Sequence, residues 1–218
     1  MITLGINCAG RWTNMGIADD GRTLAELDLE LGRRQSEELP LMTAELLARA
    51  GLSLRDIGLT AVGVGPGYYT GIRAGIAYGA ALAEALNVKV TPLSSLEIFV
   101  WDLKESHEFL LPLFKARRTH CYAALYHARG GELSAVIEPR FIRCDVLAEE
   151  LKKYPGAVMV SPDADEYPAL ASACEELIKR KSARGGSCAI MGNYYAARAV
   201  TPREVRGCYL REPDIGPN

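Results

Sequence analysis

The segment VGVGPGYYTGIRAGIAYGAALA, Val62 to Ala83, holds the residue types in this chain best suited to chemistry. A Gly-Pro-Gly turn (Gly65, Pro66, Gly67) leads into a helical run, and the first turn of any helix offers free N–H groups at the positive end of a dipole. Thr70 or Tyr69 can cap that helix, and Arg73 can pair with an anion. A P-loop is excluded, because Gly-x4-Gly-Lys-Ser/Thr places a neutralising lysine after the second glycine. Here Gly65 and Gly71 enclose five residues, and Ile72 and Arg73 follow. The dinucleotide pattern Gly-x-Gly-x-x-Gly fails too: its third glycine would be Tyr68 counted from Gly63, or Thr70 counted from Gly65. The bland alternative is a tight strand-to-helix turn with Arg73 on a solvated face.

Other reactive groups are sparse. His107, His120 and His127 show no metal-binding spacing, and the last two, an odd number apart on one predicted strand, face opposite sides. No metal site is expected. Ser187 in GGSCA lacks the second glycine of a nucleophile elbow and reads as a helix N-cap. Adjacent acids (Glu37 and Glu38, Glu149 and Glu150, Glu175 and Glu176) lie on predicted helices, where neighbours diverge, so they form no acid/base pair. Cys8, Cys121, Cys144, Cys174, Cys188 and Cys208 make no Cys-x-x-Cys pair, which suits reduced thiols in the cytosol. A formal net charge of −2 argues against coating nucleic acid through bulk electrostatics. MITLGINCAG has no basic leader, and the run Ala74 to Ala83 is too short and glycine-rich to span a bilayer. A cytoplasmic protein with no membrane partner is expected.

Gly71, Gly75, Gly79 and Ala83 recur every fourth residue and so form one row along their helix. An interior glycine costs a helix about 1 kcal/mol relative to alanine, so Gly75 and Gly79 must be offset by close packing. Either the row lies on the chain's own sheet, or a helix of another subunit lies against it. The preceding helix carries Leu39, Leu41, Met42, Leu46 and Leu47, too many directions for a single core, which favours a spare apolar face. The partner surface expected on this reading comprises Leu39, Met42, Leu46, Gly71, Ala74, Gly75, Tyr78, Gly79 and Leu82.

The elements that position these residues fall into two halves joined near residue 105. Alternating Ile2, Leu4, Ile6 and Cys8 predict a strand, Asn14 to Ala18 a second, and Leu27, Leu29 and Leu31 a third, with Asp20-Gly21 as a hairpin turn. Ser36 is expected to cap a helix that Gly51 closes. A buried strand at Leu59 to Val64 precedes the glycine-bearing helix. A strand at Val88 to Thr91 and a helix opened by a Ser94–Glu97 capping box complete the half. Strands at Phe109 to Phe114, His120 to His127 and Leu133 to Ile142 open the second half. A helix capped by Asp145, the strand AVMVS, a helix over Glu166 to Lys181 and another from Ser187 to before Pro202 follow. The repeat predicts an α/β protein with an N-terminal ribonuclease-H-like lobe over 1–105 and a smaller C-terminal one over 106–218, its last segment returning to the first lobe.

Several segments together resemble the TsaB (YeaZ) family: ITLGINCA, QSEELPLMTAELLARAGLSLRDI, VGVGPGYYTGIRAGIAYGAALA, PLSSLE, KARRTHCYAALY and the closing CYLREPD. The resemblance is dense to about Leu96 and thin beyond. It implies the actin-like ATPase (ASKHA) fold, two ribonuclease-H-like lobes each with a mixed sheet flanked by helices. It further implies a non-catalytic, glycoprotease-like subunit of the machinery that makes threonylcarbamoyladenosine in tRNA. Such a subunit forms a homodimer when alone and pairs with a TsaD-type catalytic subunit through the first two helices. A TsaE-type ATPase is the further partner, tRNA is met only through the complex, and ATP and magnesium belong to the complex rather than to this chain. Asn7 stands where actin-like ATPases carry the aspartate that positions magnesium, and an amide lacks the charge that site needs. Asn7, Thr70 and Arg73 are the residues expected to face any anion or nucleotide. Tyr68 and Tyr69 replace the family's usual Ser-Phe, and Gln35 a frequent histidine. Lys115, Arg117 and Arg118, and the run IKRKSAR, are cationic positions where ordinary solvated surface is the simpler reading. A stand-alone actin-like ATPase or small-molecule phosphotransferase is the alternative, which Asn7 and the missing P-loop lysine disfavour.

Overall fold

Alternating apolar residues near the N-terminus become an antiparallel meander in the computed structural model, which describes residues 1–211. Strands β1 (Ile2–Asn7), β2 (Trp12–Asp19) and β3 (Arg22–Glu30) are joined by tight turns, and Asp20 takes the left-handed conformation at φ 49° that its turn requires. Helix α1 (Gln35–Ala50) ends on Gly51 at φ 67°, with its N–H on the carbonyls of Leu47 and Ala48. Strand β4 (Leu59–Gly63), helix α2 (Tyr69–Leu86) and strand β5 (Lys89–Leu93) follow, giving a five-stranded sheet in the order β3-β2-β1-β4-β5. Strand β4 runs parallel to both β1 and β5. Helix α3 (Ser95–Val100) then leads to the second half.

That half repeats the topology. Strands β6 (Phe109–Arg117), β7 (His120–Arg129) and β8 (Glu132–Arg143) form the meander, α4 (Cys144–Leu151) follows, and β9 (Ala157–Ser161) pairs parallel to β6. Here the helix expected over Glu166 to Lys181 is overturned. Only α5 (Pro168–Ala171) is helical, and Glu176–Lys179 is strand β10, parallel to β9. The sheet order β10-β9-β6-β7-β8 matches the first sheet position for position, so β10 fills the slot that β5 fills there. Pairing along the open flank of β9 outweighs a helical pattern in a segment this short. Two mixed sheets flanked by helices make this the actin-like fold.

Three expected caps are also corrected. Ser36 lies inside the first turn of α1, whose N-cap is Arg34. Ser94 is the N-cap of α3, but its hydroxyl meets the Tyr126 hydroxyl at 3.4 Å while Glu97 accepts from the Tyr195 hydroxyl at 2.7 Å, so no capping box forms. Asp145 is inside α4 and pairs with Arg143.

Helix α6 starts at Gly185, two residues before the expected Ser187, and ends at Tyr194. It crosses back to lie on the first sheet, against β1, β2, β3 and β4. The approach is too close for side chains. A methyl at Gly185 would lie 1.9 Å from the Met15 carbonyl oxygen, one at Gly5 2.4 Å from the Ala189 nitrogen, and one at Gly192 2.2 Å from the Ala61 methyl. Its N-terminus is received by β3: Asp28 accepts from the Gly185 N–H at 3.0 Å and Glu26 from the Gly186 N–H at 3.1 Å. The far face of the first sheet is covered by α1 and α2, with Leu4, Ile6, Met15, Leu39 and Leu46 at its centre. Between the halves one apolar cluster joins Leu96, Phe99 and Trp101 to Leu110, Val158, Cys188 and Met191. The closing CYLREPD segment is described only as far as Arg211; Glu212, Pro213 and Asp214 lie outside the described residues.

Candidate functional site: an interlobe cleft and an outer helix face

The β1–β2 turn, the Gly-Pro-Gly turn and the start of the β6–β7 hairpin converge on a cleft of about 330 Å³ between the sheets. Asn7, Trp12 and Asn14 line one side, Tyr68 the rim, and Phe114, Asp163 and Lys181 the other side. Of the three residues expected to face an anion, only Asn7 lines this cleft. Thr70 and Arg73 are exposed on α2, and Arg73 spreads over the Tyr69 ring at 5.3 Å with a hydrogen bond to its hydroxyl at 3.2 Å. The trio is thus split.

Two N–H groups of the turn are taken up by the protein itself. Gly65 N–H donates to the Ser95 hydroxyl at 3.1 Å, and Tyr68 N–H to the Ala9 carbonyl at 2.7 Å. Gly67 sits so near Ala9 that a methyl group there would lie 2.2 Å from the Ala9 oxygen. Neither Thr70 nor Tyr69 caps α2; Tyr68 is its N-cap residue and makes no side-chain cap.

Asn7 is built into the protein rather than aimed at a ligand. Its Oδ1 accepts from the Ser95 hydroxyl at 3.2 Å and the Ala9 N–H at 3.4 Å, and its Nδ2 donates to Asn14 at 3.4 Å. Asn14 in turn donates to Asp28 at 2.8 Å and to the Ala183 carbonyl at 3.0 Å, tying β2 to the segment that enters α6. Burial, with the nearby Glu26 charge as a lesser cause, holds the Asp28 carboxyl above the usual carboxylate range, against the opposing bonds from Asn14 and Gly185. The two carboxylates lining the cleft are both engaged: Glu30 binds Arg11 at 2.8 Å, and Asp163 accepts the Lys115 N–H at 3.1 Å. Among the described residues no three His, Cys, Asp or Glu side chains cluster as metal ligands. This donor set does not fit a magnesium–nucleotide held by a β1 carboxylate.

The glycine row on α2 faces inward, correcting its assignment to a partner surface. A methyl at Gly71 would lie 2.0 Å from the Cys8 carbonyl oxygen, at Gly75 3.3 Å from the Cys8 sulfur and at Gly79 2.5 Å from a Val62 methyl. Leu39, Met42 and Leu46 of α1 are likewise buried in the first core. The small residues therefore let α2 sit against β1 and β4 of its own sheet. Of the nine residues expected at a partner surface, only Ala74, Tyr78 and Leu82 keep partial exposure. They adjoin a second row that went unrecognised: Ala77 and Ala81 are exposed on α2, and Leu41, Ala44 and Ala48 on α1, with Leu41 65% accessible. The Tyr78 hydroxyl donates to Thr43 at 2.8 Å and locks the two helices side by side. Ala77 and Ala81 repeat at the same four-residue spacing as the glycines, a signal present in the sequence. Of the partners of Asn7, Asn14 is its register partner across the β1–β2 hairpin, whereas Ser95 had no such signal, being 88 residues away in the chain and of a common type. Among the described residues no helix is long and apolar enough to cross a membrane.

Comparison with known proteins sets this geometry in context. Residues 30–180 match the family described as TsaD, tRNA N6-adenosine threonylcarbamoyltransferase. The tRNA threonylcarbamoyladenosine biosynthesis protein TsaB of Bacillus subtilis is 26% identical over 153 residues, 70% of this chain and 67% of that protein. Its counterpart in Escherichia coli is 31% identical over 151 residues, 65% of this chain and 64% of that protein, so the match spans about two thirds of these relatives' length. Among solved structures, YeaZ from Pseudomonas aeruginosa superposes with a TM-score of 0.83 at 18% identity, covering 95% of this chain and 100% of that one.

Proposed function

The chain belongs to the TsaB (YeaZ) family, related to the TsaD-type threonylcarbamoyltransferases, and from that premise we propose that it is a non-catalytic subunit in tRNA N6-threonylcarbamoyladenosine biosynthesis. Its action is to bind a TsaD-type catalytic partner; ATP and magnesium are handled in that complex, where a TsaE-type ATPase takes part. The observation that carries this reading is Asn7: a neutral amide, consumed by Ser95, Ala9 and Asn14, occupies the position where an actin-like ATPase needs an ionised carboxylate. The alternative of a stand-alone ATPase or phosphotransferase has no such group to work with.

Pairing uses the outer row of α1 and α2, a short strip of small and apolar residues bounded on α2 by Arg73 and Glu84 and carried on helices locked by the Tyr78–Thr43 bond. Small outward side chains let a partner helix approach closely, and Leu41 supplies an anchor. The same face supports a homodimer when the partner is absent. The test is co-expression with a TsaD-type subunit followed by measurement of complex size. Ala77→Arg with Ala81→Arg buries unpaired charge in that contact and should weaken pairing by about 100-fold, while an exposed position costs the fold within about 0.5 kcal/mol. Pairing at parental strength in that variant refutes this surface. Magnesium-ATP hydrolysis by the purified chain, abolished by Asn7→Ala, would instead support the alternative.

A further inference from the structure

A second groove, of about 320 Å³, opens beside the Gly-Pro-Gly turn and shares Tyr68 and Lys115 with the interlobe cleft. Its walls are aromatic: Tyr68, Tyr69, Tyr122 and Tyr209 all line it. Three of these rings are well exposed, Tyr68 at 52%, Tyr69 at 39% and Tyr209 at 43%. Tyr69 and Tyr209 meet with centroids 4.9 Å apart. The strip continues over the second sheet, where Tyr122 stands beside Phe141 at 5.8 Å and Phe141 stacks on His120 at 4.6 Å and 9°. His120 and Tyr122 are two apart on β7, and Phe141 is the register partner of Tyr122, so all three share one face.

Among the described residues, the charged side chains that line the groove are cationic. Lys115 lines the groove, Arg73 sits over Tyr69, and Arg118 is exposed at the turn between β6 and β7. No acidic side chain lines the groove among the described residues. Lys115 binds Glu166 at 2.7 Å, and its backbone N–H donates to Asp163 at 3.1 Å. Flat rings left in water beside cations form a combination that holds single-stranded nucleic acid. Every base has a face to stack, and the cations follow the phosphates. A proline-rich peptide also suits a tyrosine-lined groove, yet it has no phosphates to use the cations.

We propose that this groove binds unpaired nucleotides of an RNA strand, with bases stacking on Tyr68 and Tyr122 and phosphates facing Lys115, Arg73 and Arg118. The choice of RNA rests on the proposed role in tRNA modification; the stacking and charge argument does not. Recognition is of an unstacked loop or strand, because a duplex buries the base faces that the tyrosines need.

Fluorescence anisotropy of the full chain with a labelled single-stranded RNA of about ten nucleotides tests this, beside the same sequence as DNA, a duplex RNA and a proline-rich peptide. Single-stranded RNA should bind below about 100 µM at low salt and weaken as salt rises. Tyr68→Ala and Tyr122→Ala should each weaken it on the order of 10-fold, with Tyr68→Phe close to the parent. Arg118→Ala should flatten the salt dependence, and circular dichroism verifies that each variant is folded. The proposal is overturned if the RNA does not bind, if the tyrosine variants bind like the parent, or if the duplex or the peptide binds better. Equal binding of single-stranded DNA keeps the site but removes its preference for RNA. Pairing with the TsaD-type subunit is a separate measurement, so loss of RNA binding with pairing intact sinks this inference alone.

Discussion

Cys8 shows how much one residue type carries here. Its carbonyl accepts the Gln35 side chain at 3.3 Å, its sulfur lies beneath Gly75, and it is fully buried at the end of β1. Burial pushes the Cys8 thiol up to about 12 from an ordinary 9.0, and Cys188, under α6, is likewise pushed up to about 12. The sign follows directly. Between pH 9 and 12 the unfolded chain releases these protons before the folded one does, so stability is whole below pH 9 and falls as pH rises toward 12. Three pH units for one such group correspond to on the order of 4 kcal/mol. Urea unfolding at stepped pH should show this decline, and Cys8→Ala should lower its slope by close to one proton; an unchanged slope refutes the assignment. Asn7 belongs to the same scale. Its neutrality was legible in the sequence, and Asn14 faces it across the antiparallel β1–β2 hairpin, but Ser95 was not legible, because it reaches Asn7 only once β4 and β5 have paired alongside β1.

Helix α2 turns on the direction of a row rather than on its existence. Spacing alone revealed Gly71, Gly75 and Gly79, but four-residue periodicity does not say which way a row points, and the row two residues away, Ala77 and Ala81, has the same period. The distances now rank three substitutions. Gly71→Ala drives a methyl into the Cys8 carbonyl oxygen and should cost about 3 kcal/mol. Gly79→Ala displaces a Val62 methyl and should cost less. Gly75→Ala meets only the Cys8 sulfur at 3.3 Å, and the helix gains about 1 kcal/mol from the alanine, so it should be near neutral. Were the row an outer surface, all three would stabilise by about 1 kcal/mol, and thermal midpoints decide between the two patterns. The misread segment Glu166 to Lys181 has a related cause. Leu170, Cys174 and Leu177 do pack into one core, as a helix would place them. The sequence carries nothing local to show that β9 has a free flank to be paired, whereas the duplicated sheet order makes that strand necessary.

At the scale of the whole molecule, α6 makes the two halves a single folding unit. It belongs to the C-terminal part of the chain yet covers the first sheet, through glycines that bring backbone onto backbone at Gly5, Gly16 and Gly185. Removing it would uncover Thr3, Gly5, Gly16 and Ala61 on the strands beneath and leave Asp28 and Glu26 without the N–H groups they receive. A core that small cannot lose one of its two covering layers and still offset the entropy of ordering the chain. A chain ending at residue 184 should therefore lose its whole stability, about 5–15 kcal/mol for a domain of this kind, and unfold without a cooperative transition. Far-ultraviolet circular dichroism against urea provides the measurement, and a sharp transition near the parental midpoint would refute this account. The expectation separates cover from contact. Since α6 seals the inner face and the glycine row seats α2 on the outer one, the face of α1 and α2 opposite the sheet is free to meet a partner without any part of the fold having to move.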